Sequence, residues 1–92
     1  MDARRSKLKY RAWRRGFVEA DLILGPFADA HLDGLGEAEL DQLEVLLGQS
    51  DHDLYAWIIG QAEPPEVFDV PVLALIRQFR SDARLGRAAP GA

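Results

Sequence analysis

The side chains best suited to catalysis in this 92-residue chain are two histidines, three serines and a crowd of carboxylates, and their spacing builds no reactive site. A metal centre on a helix needs ligands one turn apart, whereas His31 and His52 fall on separate elements with no H-x-x-x-H spacing. His31 reads as flanking the end of a helix, and His52 as a solvated first-turn residue. Ser6, Ser50 and Ser81 lack the G-x-S-x-G setting that exposes a nucleophile. Glu19 and Asp21 are neighbours in sequence, but residues two apart diverge on a helix and cannot share a proton. Gly34-Leu35-Gly36-Glu37-Ala38-Glu39 starts like a dinucleotide fingerprint, yet it has no third Gly and no preceding strand, and reads as a helix entry loop. The expectation is a chain that is not an enzyme, holds no metal and binds no cofactor stably.

The informative residues are charges arranged around a corner, Arg14-Arg15-Gly16-Phe17-Val18-Glu19-Ala20-Asp21. Seven of the 11 Lys and Arg residues lie at or before Arg15, and none falls between Gly16 and Ile76, where 13 of the 15 Asp and Glu residues are found. Arg14 and Arg15 suit the end of one helix, where the macrodipole favours cations. Gly16 allows the backbone to turn, and Glu19 falls in the first turn of the next helix, near unpaired N–H groups. This local account explains the residue types. It also leaves the same groups available to a partner.

Arg15-Gly16-Phe17-Val18-Glu19, with Asp21 two residues on, resembles the Arg-Gly-x-x-Glu motif of the FAD assembly factors of succinate dehydrogenase, the bacterial SdhE type and their mitochondrial relatives. Asp51-His52-Asp53-Leu54-Tyr55-Ala56-Trp57-Ile58 is similar to that family's acidic-Leu-x-x-Trp segment, and order and spacing agree from about residue 7 to residue 80. Ala20 departs from the pattern, since many relatives carry a larger aliphatic residue there. The resemblance implies binding to the flavoprotein subunit of succinate dehydrogenase, or of fumarate reductase, and promotion of covalent FAD attachment. The flavoprotein would supply the histidine that becomes bonded to the flavin. Carried over by position, Arg15, Gly16, Glu19 and Asp21 are the partner-binding residues, and Trp57 is mainly core. Asp53 in the second segment, and Arg11 and Arg14 in the basic arm, are secondary contacts. The cofactor implied is the partner's FAD.

Helices must position these residues. Residues 3–14 read as a short helix with an apolar stripe of Tyr10, Trp13 and Phe17. A second helix starts at Gly16 with Phe17, Ala20, Leu24, Phe27 and His31 on one face, and Gly25-Pro26 predicts a kink or split near Leu24. Residues 37–48 carry the clearest pattern, with Leu40, Leu43, Leu46 and Leu47 inward. Ser50 caps a fourth helix that buries Leu54, Trp57 and Ile58 and ends at Gly60. Beyond a connector containing Pro64-Pro65, Asp69-Val70-Pro71 starts a fifth helix, with Asp69 as cap and Val72, Leu75, Ile76 and Phe79 as its stripe. The reading is an all-α, five-helix bundle over residues 1–80, with residues 81–92 a disordered tail.

Composition fits that reading. With 48% hydrophobic and 28% charged residues the chain has the profile of a small globular domain, expected to be a monomer. The absence of cysteine excludes disulfides. Runs such as Val72-Leu73-Ala74-Leu75-Ile76 are too short to cross a bilayer, so no membrane insertion is expected. The Arg-rich start runs straight into the motif and is not followed by an apolar segment, which favours a bacterial cytoplasmic protein over a targeted one. Two other classes remain open. The same surface would serve a regulatory, antitoxin-like interaction protein, and Lys7, Lys9 and Arg11 with Tyr10 and Trp13 mix charge and aromatics as nucleic-acid binders do. Net charge −4 weighs against the second, so no nucleic acid is expected.

Overall fold

Each segment with apolar residues at helical spacing must bury that stripe against another, and five do so here. The structure, a computed structural model, describes residues 2–86. Its helices are α1 (Ala3–Trp13), α2 (Val18–His31), α3 (Glu37–Leu47), α4 (Asp51–Ile59) and α5 (Pro71–Arg84), with 3-10 turns at Leu32–Gly34 and Glu66–Phe68. Among the described residues there is no strand, and the all-α bundle is the fold. α1 packs on α2 and α3, while α5 lies against α2, α3 and α4. Leu24, Phe27, Leu40, Leu54 and Ile76 meet in the middle with no accessible surface. Burying each such side chain stabilises the fold by about 1.5–3 kcal/mol.

The strongest periodicities are reproduced. Leu40, Leu43, Leu46 and Leu47 are all buried on α3, as are Leu54, Trp57 and Ile58 on α4. Ser50 accepts a hydrogen bond from the Asp53 N–H at 3.1 Å, the cap that its position predicts.

Several local expectations need correction. α1 buries Leu8 and Ala12, one turn apart, not Tyr10 and Trp13, which are 61% and 37% exposed. A small Ala on that face lets α1 approach its neighbours, and the aromatics are left at the rim. α2 starts at Val18, two residues beyond the predicted start at Gly16, and continues through Pro26 without the alternative of a split. The carbonyl that Pro26 leaves without a donor belongs to exposed Leu22, where water can reach it. Gly25 has a packing role instead: a Cβ there would stand 2.2 Å from the Trp13 indole, which lies on the bare backbone of α2. Asp69 does not cap α5. Gln42 of α3 accepts the Val72 N–H at 3.2 Å, and Leu73 takes the buried place expected for Leu75. α5 also continues to Arg84, past the predicted end at Arg80, because Ser81, Asp82, Ala83 and Arg84 contain no helix breaker. Residues 87–92 of the predicted tail lie outside the described residues.

Arginines close the helix ends. The last carbonyls of a helix have no intrahelical donor and carry its negative dipole end. The Arg5 guanidinium donates to Leu32 O and Leu35 O beyond α2, Arg77 donates to Trp57 O near the end of α4 at 2.8 Å, and Arg15 serves α3. On the surface, Arg4 spans Glu37, Asp41 and Glu44 of α3, and Lys9 reaches Asp29 of α2. Part of the basic arm therefore docks on its own acidic body.

Candidate functional site

The α1–α2 corner divides its four motif residues into an inner and an outer pair. Arg15 is inner, with a side chain only 7% exposed. Its Nη1 donates to Leu47 O at 2.6 Å and its Nη2 to Gln49 O at 2.7 Å, both at the C-terminal end of α3. Its Nε lies 2.7 Å from Asp51 Oδ1 in the first turn of α4, an ion pair whose angle falls outside hydrogen-bond alignment. One guanidinium thus ties the corner to the end of α3 and the start of α4. Asp21 is inner as well: its Oδ1 accepts the Arg15 backbone N–H at 3.0 Å, which fixes the turn from the α2 side.

Gly16 and Glu19 form the outer pair. Gly16 has φ +84°, a left-handed conformation that costs most residues with a Cβ about 1–2 kcal/mol, Asn and Asp less. A Cβ there would meet nothing within 4 Å, so the turn demands glycine for its backbone while its face stays open. Glu19 is the second residue of α2 and is exposed. Among the described residues its carboxylate makes no hydrogen bond and no ion pair, so it does not act as a cap. Val18 and Leu22, one turn apart beside Glu19, are 65% and 64% exposed. Periodicity already leaves both off the inner face of α2, and this apolar flank of the motif was legible there.

Phe17 joins the corner to the second motif. Its ring centroid lies 5.1 Å from that of His52 and 5.2 Å from that of Tyr55; His52 is an exposed first-turn residue, as its position predicts, with one side against Phe17. His31 packs elsewhere, stacked on Phe27 at 5.1 Å and edge-on to Phe79 at 5.6 Å. The two histidines are not brought together, and among the described residues no cluster of three His, Asp or Glu side chains is placed to hold a metal ion. Asp53 is exposed beside Ser50, and Trp57 is buried against Phe68. Arg14 lies over the Tyr10 ring, its Cζ 4.8 Å from the centroid. An open groove of about 250 Å3 lined by Tyr10, Arg11, Arg14, Arg15 and Asp51 runs alongside. The corner offers a rigid backbone turn, a free carboxylate and an apolar flank, which together suit recognition of a protein surface.

A family model described as the flavinator of succinate dehydrogenase matches residues 6–80, a span that includes both motifs. The chain is 40% identical over 82 residues to the mitochondrial succinate dehydrogenase assembly factor 2 of Dictyostelium discoideum, covering 89% of this chain and 58% of that protein. It is 36% identical over 85 residues to the FAD assembly factor SdhE of Acetobacter pasteurianus, covering 92% of this chain and 75% of the relative. Against the mitochondrial succinate dehydrogenase assembly factor 2 of Caenorhabditis elegans the identity is 31% over 91 residues, covering 96% and 76%. The chain therefore spans a little over half the length of the first relative and about three quarters of the other two.

Proposed function

The chain belongs to the family of succinate dehydrogenase flavinators, and from that premise we propose that it is an assembly factor for the flavoprotein subunit of succinate dehydrogenase, or of fumarate reductase. It binds that subunit and promotes covalent attachment of FAD. The flavin and the residue that bonds it belong to the flavoprotein, and this chain contributes a shaped surface without a catalytic group or a stably held cofactor. A partner that prefers the attachment-competent conformation of the subunit raises the occupancy of that conformation by its differential affinity. A bacterial, cytoplasmic, monomeric setting is part of the same proposal, and the Acetobacter relative supports its bacterial part alone. Among the described residues, no helix is long and apolar enough to cross a membrane.

One observation carries the site assignment: Gly16 and Glu19 face outward without internal partners, on a turn that Arg15 and Asp21 hold from within. We assign contact to the outer pair and positioning to the inner pair. Glu19→Gln tests this, because it keeps the shape and removes the charge. As a first-turn carboxylate its loss costs under about 1 kcal/mol of stability. As a charge-assisted contact in a buried interface it costs about 2–5 kcal/mol of binding. The readout is flavin fluorescence of the denatured flavoprotein in cells lacking the native factor and complemented by each variant. A folded Glu19→Gln protein should support little flavin attachment. Wild-type flavin signal would leave the motif as a helix corner and nothing more.

A further inference from the structure

The seven cations of the N-terminal arm separate into two sets. Arg4, Arg5, Lys9 and Arg15 each reach a carboxylate of the chain itself. Among the described residues, Lys7, Arg11 and Arg14 make no ion pair. These three are not scattered. Lys7, Tyr10 and Arg11 fall at i, i+3 and i+4 on α1, and Arg14, the non-helical residue that ends the helix, reaches the Tyr10 ring and extends the same outward stripe. Tyr10 is 61% exposed within that stripe and has the Arg14 guanidinium above its ring. Two open grooves share Tyr10 and Arg14: the one beside the motif corner, and one of about 520 Å3 that Trp13 and Lys9 help to line. The stripe is thus continuous with Arg15 and the turn at Gly16.

We infer that this face of α1 is an electrostatic docking strip for an acidic segment of the flavoprotein partner, an inference that rests on the proposed assembly function. Asp or Glu side chains of the partner meet Lys7, Arg11 and Arg14, and an apolar side chain lies against Tyr10 and Trp13. The strip guides the encounter, and the corner beyond it makes the selective contact. Charge placement favours a protein over a nucleic acid. The helical part of the strip, residues 7–13, spans about 10 Å, too short to follow a phosphate backbone far. The body beyond the strip is acidic, so a long polyanion is repelled on leaving the stripe, whereas a short acidic segment stays on it.

The test is stopped-flow association of the purified protein with the isolated flavoprotein subunit, from about 50 to about 300 mM salt. The variant reverses three charges together, Lys7→Glu, Arg11→Glu and Arg14→Glu, and a Gln set at the same positions provides a milder pair of controls for folding and charge. Wild-type association should slow about 10-fold over that salt range, as steered encounters do. The Glu set should associate about 10–100-fold more slowly at the low-salt end, with a flattened salt dependence, and the Gln set should fall between. Wild-type rates and slope in either folded variant would overturn the strip while leaving the functional reading intact. No wild-type binding to the flavoprotein at any salt would sink that reading and the strip with it. Retention of a single-stranded oligonucleotide by the wild type at about 150 mM salt, lost in the Glu set, would overturn the choice of a protein partner.

Discussion

Arg15→Ala tests whether the motif arginine is a strut. The substitution removes donors from Leu47 O and Gln49 O and leaves the Asp51 carboxylate without its cation. A hydrogen bond involving a charged group contributes about 1.5–3 kcal/mol, and breaking a buried ion pair costs about 3–5 kcal/mol. Adding these terms would count the same guanidinium more than once. Discounts also apply, because Asp51 is a third exposed and the freed carbonyls close a helix end that water can reach. A net loss of about 3 kcal/mol is the reasonable figure. Against the roughly 5–14 kcal/mol expected for a domain of this size, the variant stays folded at room temperature. It should melt about 12–24 °C below wild type. Arg15→Lys should recover little, since an ammonium cannot reach two carbonyls and a carboxylate in that geometry. Thermal unfolding followed by helical circular dichroism provides the measurement. A melting temperature within about 3 °C of wild type for Arg15→Ala would show that the buried guanidinium holds nothing together, and would return Arg15 to the partner surface.

Three further outcomes are expected. Gly25→Ala puts a methyl group where the Trp13 indole now lies, and should destabilise by about 1–3 kcal/mol while shifting Trp fluorescence; unchanged emission and stability would mean the ring has room to move. Gly16→Arg should lose only the about 1–2 kcal/mol that a left-handed residue costs, yet lose most flavin attachment, whereas Gly16→Asn should fold nearly as well as wild type. Equal loss of stability and function in Gly16→Arg would argue that the turn, and not its open face, matters. Leu43→Ala should cost about 2–5 kcal/mol in denaturant unfolding, since it opens a cavity in a side chain's place that is 1% exposed, and a cost below about 1 kcal/mol would put α3 in the wrong orientation.

What the sequence made legible depends on the range of the forces involved. The leucines of α3 and the cap at Ser50 follow from rules acting within two turns of helix, and both stand as read. The errors on α1 and α2 come from ranking residues by size. Tyr10 and Trp13 look like core, but burial went to Leu8 and Ala12, and Gly25 looks like a breaker until the indole that occupies its missing side chain is known. Roles set by distant partners were the least accessible. Arg5, Arg15 and Arg77 each find carbonyls at least 20 residues away, and no periodicity marks which arginine will do so.

That distinction also separates two explanations of the motif that look equivalent in sequence. Helix-corner chemistry and partner recognition both call for Arg, Gly and an acid at these spacings. In the folded chain the internal contacts fall on Arg15 and Asp21, and the proposed partner contacts on Gly16 and Glu19. Arg15 and Asp21 spend their polar groups inside the molecule, where burial strengthens each contact and restricts the turn to one geometry. Glu19 spends none, and Gly16 keeps open space in front of it. An exposed carboxylate on a mobile turn would lose much of its binding energy to ordering on association. Held on a corner anchored to α3 and α4, it would meet the proposed partner already oriented. On the proposed assignment the inner pair supports the outer pair through preorganisation. The two substitutions should then differ in kind: Arg15→Ala lowers melting temperature and function together, whereas Glu19→Gln lowers function with the melting temperature nearly unchanged.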